Sequence, residues 1–489
     1  MAAGAGISLF GVGVGRGLDF VKQILIARLL GPEAFGLYAL GWNILRIVSV
    51  LAPLGLNNGV IHFGTPFRQK DPGALRSILT RSVVISFAIG WMLTAILFVL
   101  APWITDVLFQ EPEYLLLFRL FTLMLPFAGA LRVSANATRM TQRMIFSVAA
   151  EEIAQGALNL VLFIAFYLLG WKLFGAIAAT VLSFALAFAL SLYFLWRLFN
   201  QAFHTPSRPA VSQQDLLAYS LPTALAGMFG FVINRVDRIF LGYFRPPAEV
   251  GIYQAAAQIS VIMAMVLNAF NMILMPMIAE QYHKRDIRQL EELFRVNTKW
   301  GIYCIVPVVL VIIFAASDVM TVLFGPNYTS GATVLLILAI GQFVNIATGA
   351  SGVILIMTGH QTAWFRLSVV IMVTSVALNL ALIPRWGIIG AAVATATTVG
   401  GLFAVALLVV YHIHHIWPYD RRYLKGIAAA ALTSIALYVI RLWGLGSLPN
   451  LLLSSAVAVV GFFGLLLLFG LDQEDQVFIS YIIGRFRSK

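Results

Sequence analysis

Fourteen apolar runs, each long enough to cross a bilayer, succeed one another along this chain, the first at about residues 6–29 and the last at about 450–470. A spanning helix needs about 20 predominantly apolar residues. Backbone amides in hydrocarbon must find partners inside the protein, which leaves helices or a closed barrel. A barrel would show alternation in segments of about 10 residues. These runs are continuous and predict an all-α integral membrane protein of about fourteen transmembrane helices. With 61% hydrophobic and 11% charged residues and a mean hydropathy of +0.92, a soluble fold of 489 residues would lack polar surface.

The excess of 32 Lys and Arg over 20 Asp and Glu does not point to nucleic acid, because the basic residues sit between apolar runs and set topology there. With the N-terminus inside, 21 fall on the cytoplasmic side, six outside, and five (Arg16, Lys22, Arg46, Arg235, Arg238) within spans. This bias predicts both termini cytoplasmic in a multi-pass protein of the cell (inner) membrane. No cleavable signal is expected, since the first run carries Arg16, Asp19 and Lys22. The single cysteine, Cys304, excludes an intrachain disulfide. His412, His414 and His415 cluster in a polar break but lack the four spaced ligands that zinc usually takes, and read as a solvated turn.

Collinear echoes recur at offsets between 215 and 220 residues. Gly36-Leu37-Tyr38 returns as Gly251-Ile252-Tyr253, and Val107-Leu108-Phe109 as Val322-Leu323-Phe324. Ala157-Leu158-Asn159-Leu160 returns as Ala377-Leu378-Asn379-Leu380, and Gly175 through Thr180 as Gly390 through Thr395. The offset maps span 1 onto span 7 and span 6 onto span 12. Six spans per copy give a parallel repeat, an arrangement of secondary transporters whose substrate site lies at the repeat interface. The expected organisation is a six-helix lobe over 1–212, a second over 213–415, and two additional helices with a tail over 416–489.

An ionisable residue at the centre of a span costs about 2.5–3.5 kcal/mol on insertion scales, so it faces a wet cavity or a partner. Span 1 carries Arg16, Asp19 and Lys22 three apart, broadly on one helix face. Span 2 carries Arg46, and span 7 carries Asn234, Arg235, Asp237 and Arg238. Under the repeat, Asp19 falls on Asn234 and Lys22 on Asp237. The positive excess suits an anionic substrate such as a diphosphate. Pairing of Asp19 and Asp237 with basic neighbours, merely to permit insertion, is the alternative. Arg132, Arg139 and Arg143, where span 4 reaches the cytoplasm, read either as a point of access for a phosphate head group or as topology determinants. Gly11, Gly13, Gly15 and Gly17 have no preceding strand and are not a dinucleotide fingerprint; they allow close helix approach or bending. No zinc spacing, nucleophile elbow or phosphate loop appears, so no cofactor and no enzymatic activity are expected.

The stretch Ala27-Arg28-Leu29-Leu30-Gly31-Pro32-Glu33-Ala34-Phe35-Gly36-Leu37-Tyr38-Ala39-Leu40, its variant copy Pro247-Ala248-Glu249-Val250-Gly251-Ile252-Tyr253, and the Leu323-Phe324-Gly325 turn resemble the polysaccharide transporter branch, the Wzx-like lipid-linked oligosaccharide flippases, of the multidrug/oligosaccharidyl-lipid/polysaccharide exporter superfamily. The resemblance covers essentially the whole chain. It implies a V-shaped pair of six-helix lobes around a cationic cavity that moves polyprenyl-(di)phosphate-linked oligosaccharide to the outer leaflet by alternating access, for cell-surface polysaccharide assembly. Implied partners are the substrate, membrane lipids and other polysaccharide-assembly proteins. The family's cavity cations carry over to Arg16, Lys22 and Arg238. Related lipid II flippases also have fourteen spans, the last two forming a lipid groove. A coupling ion, H+ or Na+, would bind at Asp19 or Asp237; alternatively the membrane potential acts on the charged substrate. Two readings compete. A cation-coupled multidrug or metabolite exporter would want a net acidic lining. A membrane glycosyltransferase or polymerase would need external carboxylates, for which Asp106, Glu111 and Glu113 are the candidates.

Overall fold

The computed structural model describes residues 2–109, 111–208, 211–221, 224 and 235–470. It is helical wherever it is regular, and eleven helices among the described residues are long and apolar enough to cross a bilayer. Two of them are too long for a single crossing. At 1.5 Å per residue, helices of 48 and 54 residues reach about 70–80 Å against a hydrocarbon core of about 30 Å. Each is broken at one glycine: Ala2–Ser49 at Gly31 (φ 81°, ψ 173°) and Gln361–His414 at Gly387 (φ 57°, ψ −134°). Only glycine enters this region without a Cβ penalty, and Pro32 further bars the helical conformation from the residue before it. The two breaks turn eleven helices into thirteen spans. The seventh expected span, 216–242, falls largely outside the described residues.

The chain forms two compact units, residues 1–251 and 252–489. Each contains the same internal contacts. In the first, the Tyr38 hydroxyl lies 3.0 Å from Thr180 Oγ1; in the second, Tyr253 lies 3.2 Å from Thr395 Oγ1, again across 142 residues of chain. Phe109 packs on Tyr114 at 4.9 Å between ring centroids and Phe324 on Tyr328 at 5.7 Å. Leu75, Leu79 and Leu195 sit in one buried cluster of the first unit, and Leu290, Phe294 and Val410, each 215 residues on, sit in one cluster of the second. The sequence echoes are therefore repeats of packing.

Inside the first unit, the Gly-Pro motif also meets its own variant copy. A Cβ on Gly36 would lie 1.8 Å from the Pro247 carbonyl oxygen, and one on Gly251 would lie 2.0 Å from that of Pro32. The contact is reciprocal, and both glycines are required by the approach of main chain to main chain.

In the second unit, the helices Tyr423–Leu442 and Ser447–Leu468 pack on Ile287–Phe324. Gly426 receives the Tyr303 ring, Phe462 packs on it, and Asn450 Nδ2 donates to Asp318 Oδ2 at 2.6 Å. Lys299, one of the 21 basic residues expected on the cytoplasmic side, lies within Ile287–Phe324, 2% exposed, with Nζ 5.7 Å from the Tyr303 ring centroid. One residue does not alter the bias.

Candidate functional site

The site is built where span 1 crosses the helix that begins at Ile145. A Cβ on Gly11 would lie 2.1 Å from Val148 Cγ1, and one on Gly15 would lie 2.9 Å from both the Cβ and the carbonyl oxygen of Glu152. Gly13 and Gly17 have nothing within 4 Å. The glycine run thus has one tight face, spaced four apart as close helix contacts require. This face seats span 1 on a π-helical stretch, Ala149–Ala154, a form that concentrates at functional sites.

From this contact the charged residues follow. Lys22 is 1% exposed and donates to Asp19 Oδ1 at 2.9 Å. Its Nζ lies 5.1 Å from the centroid of Trp42, and the Arg46 guanidinium lies 5.2 Å from the same ring. Two cations thus share one aromatic ring, which Tyr38, Phe121 and Phe184 hold in place. One position on, Asn43 donates to the Ala39 carbonyl and accepts from Arg235 Nη1. Arg235 precedes the helix Val236–Phe244, in whose first turn Asp237 and Arg238 pair at 3.3 Å, both buried. Arg132 turns in toward Glu151, Nε to Oε1 3.5 Å. Arg16 is exposed and, among the described residues, makes no hydrogen bond or ion pair. Arg46 is close enough to Arg16 and Arg132, and Arg235 to Arg16 and Arg46, for their charges to act on one another.

Within the first unit the structure therefore draws together Arg16, Asp19, Lys22, Arg46, Arg235, Asp237 and Arg238 from the expected set. Asn234 lies outside the described residues. The three cytoplasmic arginines part company: Arg132 joins the cluster, Arg139 donates to Ser147 Oγ at 3.1 Å, and Arg143 is exposed. Four residues were missed by sequence reasoning: Trp42, Asn43, Glu151 and Glu152. The two glutamates carried a legible signal, being ionisable residues inside an apolar run. The other two had none, since their role depends on which cation folds over them. Six cations and four carboxylates leave the cluster with two positive charges in excess, a setting that receives an anion. Elsewhere, His414 Nε2 and His360 Nδ1 approach Thr358 Oγ1 at 3.0 and 3.1 Å. Among the described residues no group of three metal-ligating side chains is present.

A sequence profile of the family described as polysaccharide biosynthesis protein matches residues 1–281, more than half of the chain, and one described as MatE matches residues 222–382. The probable low-salt glycan biosynthesis flippase Agl15 of Haloferax volcanii is 24% identical over 409 residues, 82% of this chain and 80% of that protein. The succinoglycan biosynthesis transport protein ExoT of Rhizobium meliloti is 25% identical over 336 residues, 67% of this chain and 63% of its own. Among solved structures, the lipid II flippase MurJ in an inward closed conformation aligns with a TM-score of 0.70 at 10% identity, covering 94% of this chain and 98% of that one. An inward-facing MATE family transporter aligns with a TM-score of 0.61 at 16% identity, covering 83% and 98%. At these identities the structural likeness speaks to the fold.

Proposed function

Because the chain belongs to the polysaccharide biosynthesis protein family, we propose that it is a flippase. It moves polyprenyl-(di)phosphate-linked oligosaccharide from the cytoplasmic to the outer leaflet by alternating access, for cell-surface polysaccharide assembly. The relatives named as a glycan biosynthesis flippase and as a biosynthesis transport protein support the substrate class. The observation that carries the reading is the charged cluster of the first unit, with two cations in excess inside membrane spans. A cationic drug has no reason to enter such a lining, which weighs against the multidrug alternative. The lipid tail stays in the bilayer while the phosphates meet the cations, Arg16 foremost, since it alone among Arg16, Lys22 and Arg238 has no partner among the described residues. We further place the protein in the cell (inner) membrane with both termini cytoplasmic, acting alongside other polysaccharide-assembly proteins.

Reconstitution in liposomes with a fluorescent polyprenyl-diphosphate-linked N-acetylglucosamine, read by quencher access to the outer leaflet, tests this directly. The wild type should exchange the probe between leaflets well above empty liposomes. The Arg16→Gln variant should fall well below the wild type while keeping its melting temperature, and the Arg16→Gln, Lys22→Gln, Arg238→Gln triple variant should fall to background. Undiminished exchange by that variant would refute the cationic site.

A further inference from the structure

Three of the four carboxylates in the cluster are ion-paired: Asp19 with Lys22, Asp237 with Arg238, and Glu151 with Arg132. Glu152 is the fourth. Among the described residues it accepts no hydrogen bond and has no cation within 4.0 Å. It is half-buried in the π-helical stretch Ala149–Ala154, and Gly15 of span 1 rests directly on its main chain. The charged groups near enough to act on it are Glu151 on its own helix, Arg16 and Asp19 of span 1, and Arg46 of span 2. Of the other helices packed there, Met124–Ala137 brings Arg132, which Glu151 already holds, and Lys172–Leu198 is charged only at its two ends.

Glu152 thus lies within the electrostatic reach of two guanidiniums and, among the described residues, is ion-paired with neither. An ionised side chain in a span is costly when no partner compensates it, and taking up a proton removes that cost. We propose that Glu152 is a proton-binding site, and that a phosphate-bearing anion engaging Arg16 and Arg46 draws a proton onto it. The anion in this inference rests on the flippase reading above. Asp19 and Asp237, the carboxylates expected from the sequence to take a coupling ion, are each held by a cation. Ionised Glu152 competes with the anion for Arg16 and Arg46 and repels it; neutral Glu152 does neither. Anion and proton therefore favour one another, and the effect is reciprocal. The sign is fixed: anion affinity is highest with Glu152 protonated and falls as pH rises through its titration, by up to about tenfold per pH unit, with up to one proton taken up per anion bound.

The test is calorimetric titration of the purified full-length protein with farnesyl-diphosphate-linked N-acetylglucosamine. It is repeated in buffers of different ionisation heat between about pH 4 and pH 8, a window that opens at the ordinary carboxyl range. Each phosphate of this probe bears a single, strongly acidic proton, so the probe itself does not titrate there. The wild type should take up a proton on binding and bind more weakly at higher pH. Glu152→Gln, a neutral isostere, should bind at every pH as the wild type does at low pH, without proton uptake, and Glu152→Asp should restore the uptake. Wild-type binding without proton uptake would overturn the inference and leave the flippase reading standing. Unchanged uptake in Glu152→Gln would do the same. A wild type that binds no probe at any pH would sink both.

Discussion

Lys22 and Arg16 lie two turns apart on one helix, yet their substitutions should act differently. Lys22 is sealed between Asp19 and Trp42, so Lys22→Gln leaves a carboxylate uncompensated in the membrane. Removing one partner of a buried pair costs about 3–5 kcal/mol in soluble proteins, and the variant should melt well below the wild type in detergent. Lys22→Gln combined with Asp19→Asn should recover most of that loss. Arg16 has no partner among the described residues to strand. Arg16→Gln should keep the wild-type melting temperature and lose transport, by about 10- to 150-fold if one charge-assisted bond of 1.5–3 kcal/mol goes. Thermal melting and leaflet exchange measured on the same samples separate the two roles. Both residues could be picked out from the sequence because an ionisable group in an apolar run needs a reason. Which of them would be buried and paired was not visible, because that depends on Trp42, whose ring lies one helical turn from Arg46 but reaches Lys22 only once spans 1 and 2 fold together.

At the level of elements, the glycines of span 1 make the sharpest prediction. Gly15→Ala would press a methyl against the Glu152 carbonyl at 2.9 Å, main chain that cannot rotate away, whereas Gly13→Ala and Gly17→Ala meet open space. The first should lower both the melting temperature and exchange, and the other two should change neither; a series of three single variants read by the same two assays decides it. The run of four alternating glycines was plain in the sequence, but which pair bears the contact is set by the crossing partner. The same holds for the two long helices. Gly31 and Gly387 lie in short breaks between apolar runs, and their positive φ values divide continuous helices into pairs of spans. The apolar runs nevertheless placed those boundaries, because about 20 residues exhaust the thickness of the hydrocarbon.

For the molecule as a whole, the repeat predicts equal behaviour at equivalent sites. Tyr38→Phe and Tyr253→Phe each remove one hydroxyl contact to a threonine 142 residues away. Hydrogen bonds between membrane helices average about 0.6 kcal/mol, so the two variants should lower the melting temperature by small and similar amounts, and the double variant by their sum. Deleting residues 423–489 should do much more. It uncovers the Tyr303 face of Ile287–Phe324 and strips Asp318 of Asn450, and a truncated protein with full stability and full exchange would show these helices to be dispensable.

Length, apolar patterning and the internal echoes were enough, without coordinates, for the class of fold, the pairing of equivalent helices and the positive bias of the spans. The physical reason is that a bilayer rewards long apolar helices wherever they occur and penalises charges one residue at a time, so both signals are local. Only the tertiary structure decided which charges neutralise one another, that Arg132 faces Glu151, and that Glu152 remains without an ion pair among the described residues. Those outcomes depend on distances of a few ångströms between helices far apart in sequence, where Coulomb energy and side-chain packing are set by contact and leave no periodicity for a sequence to display.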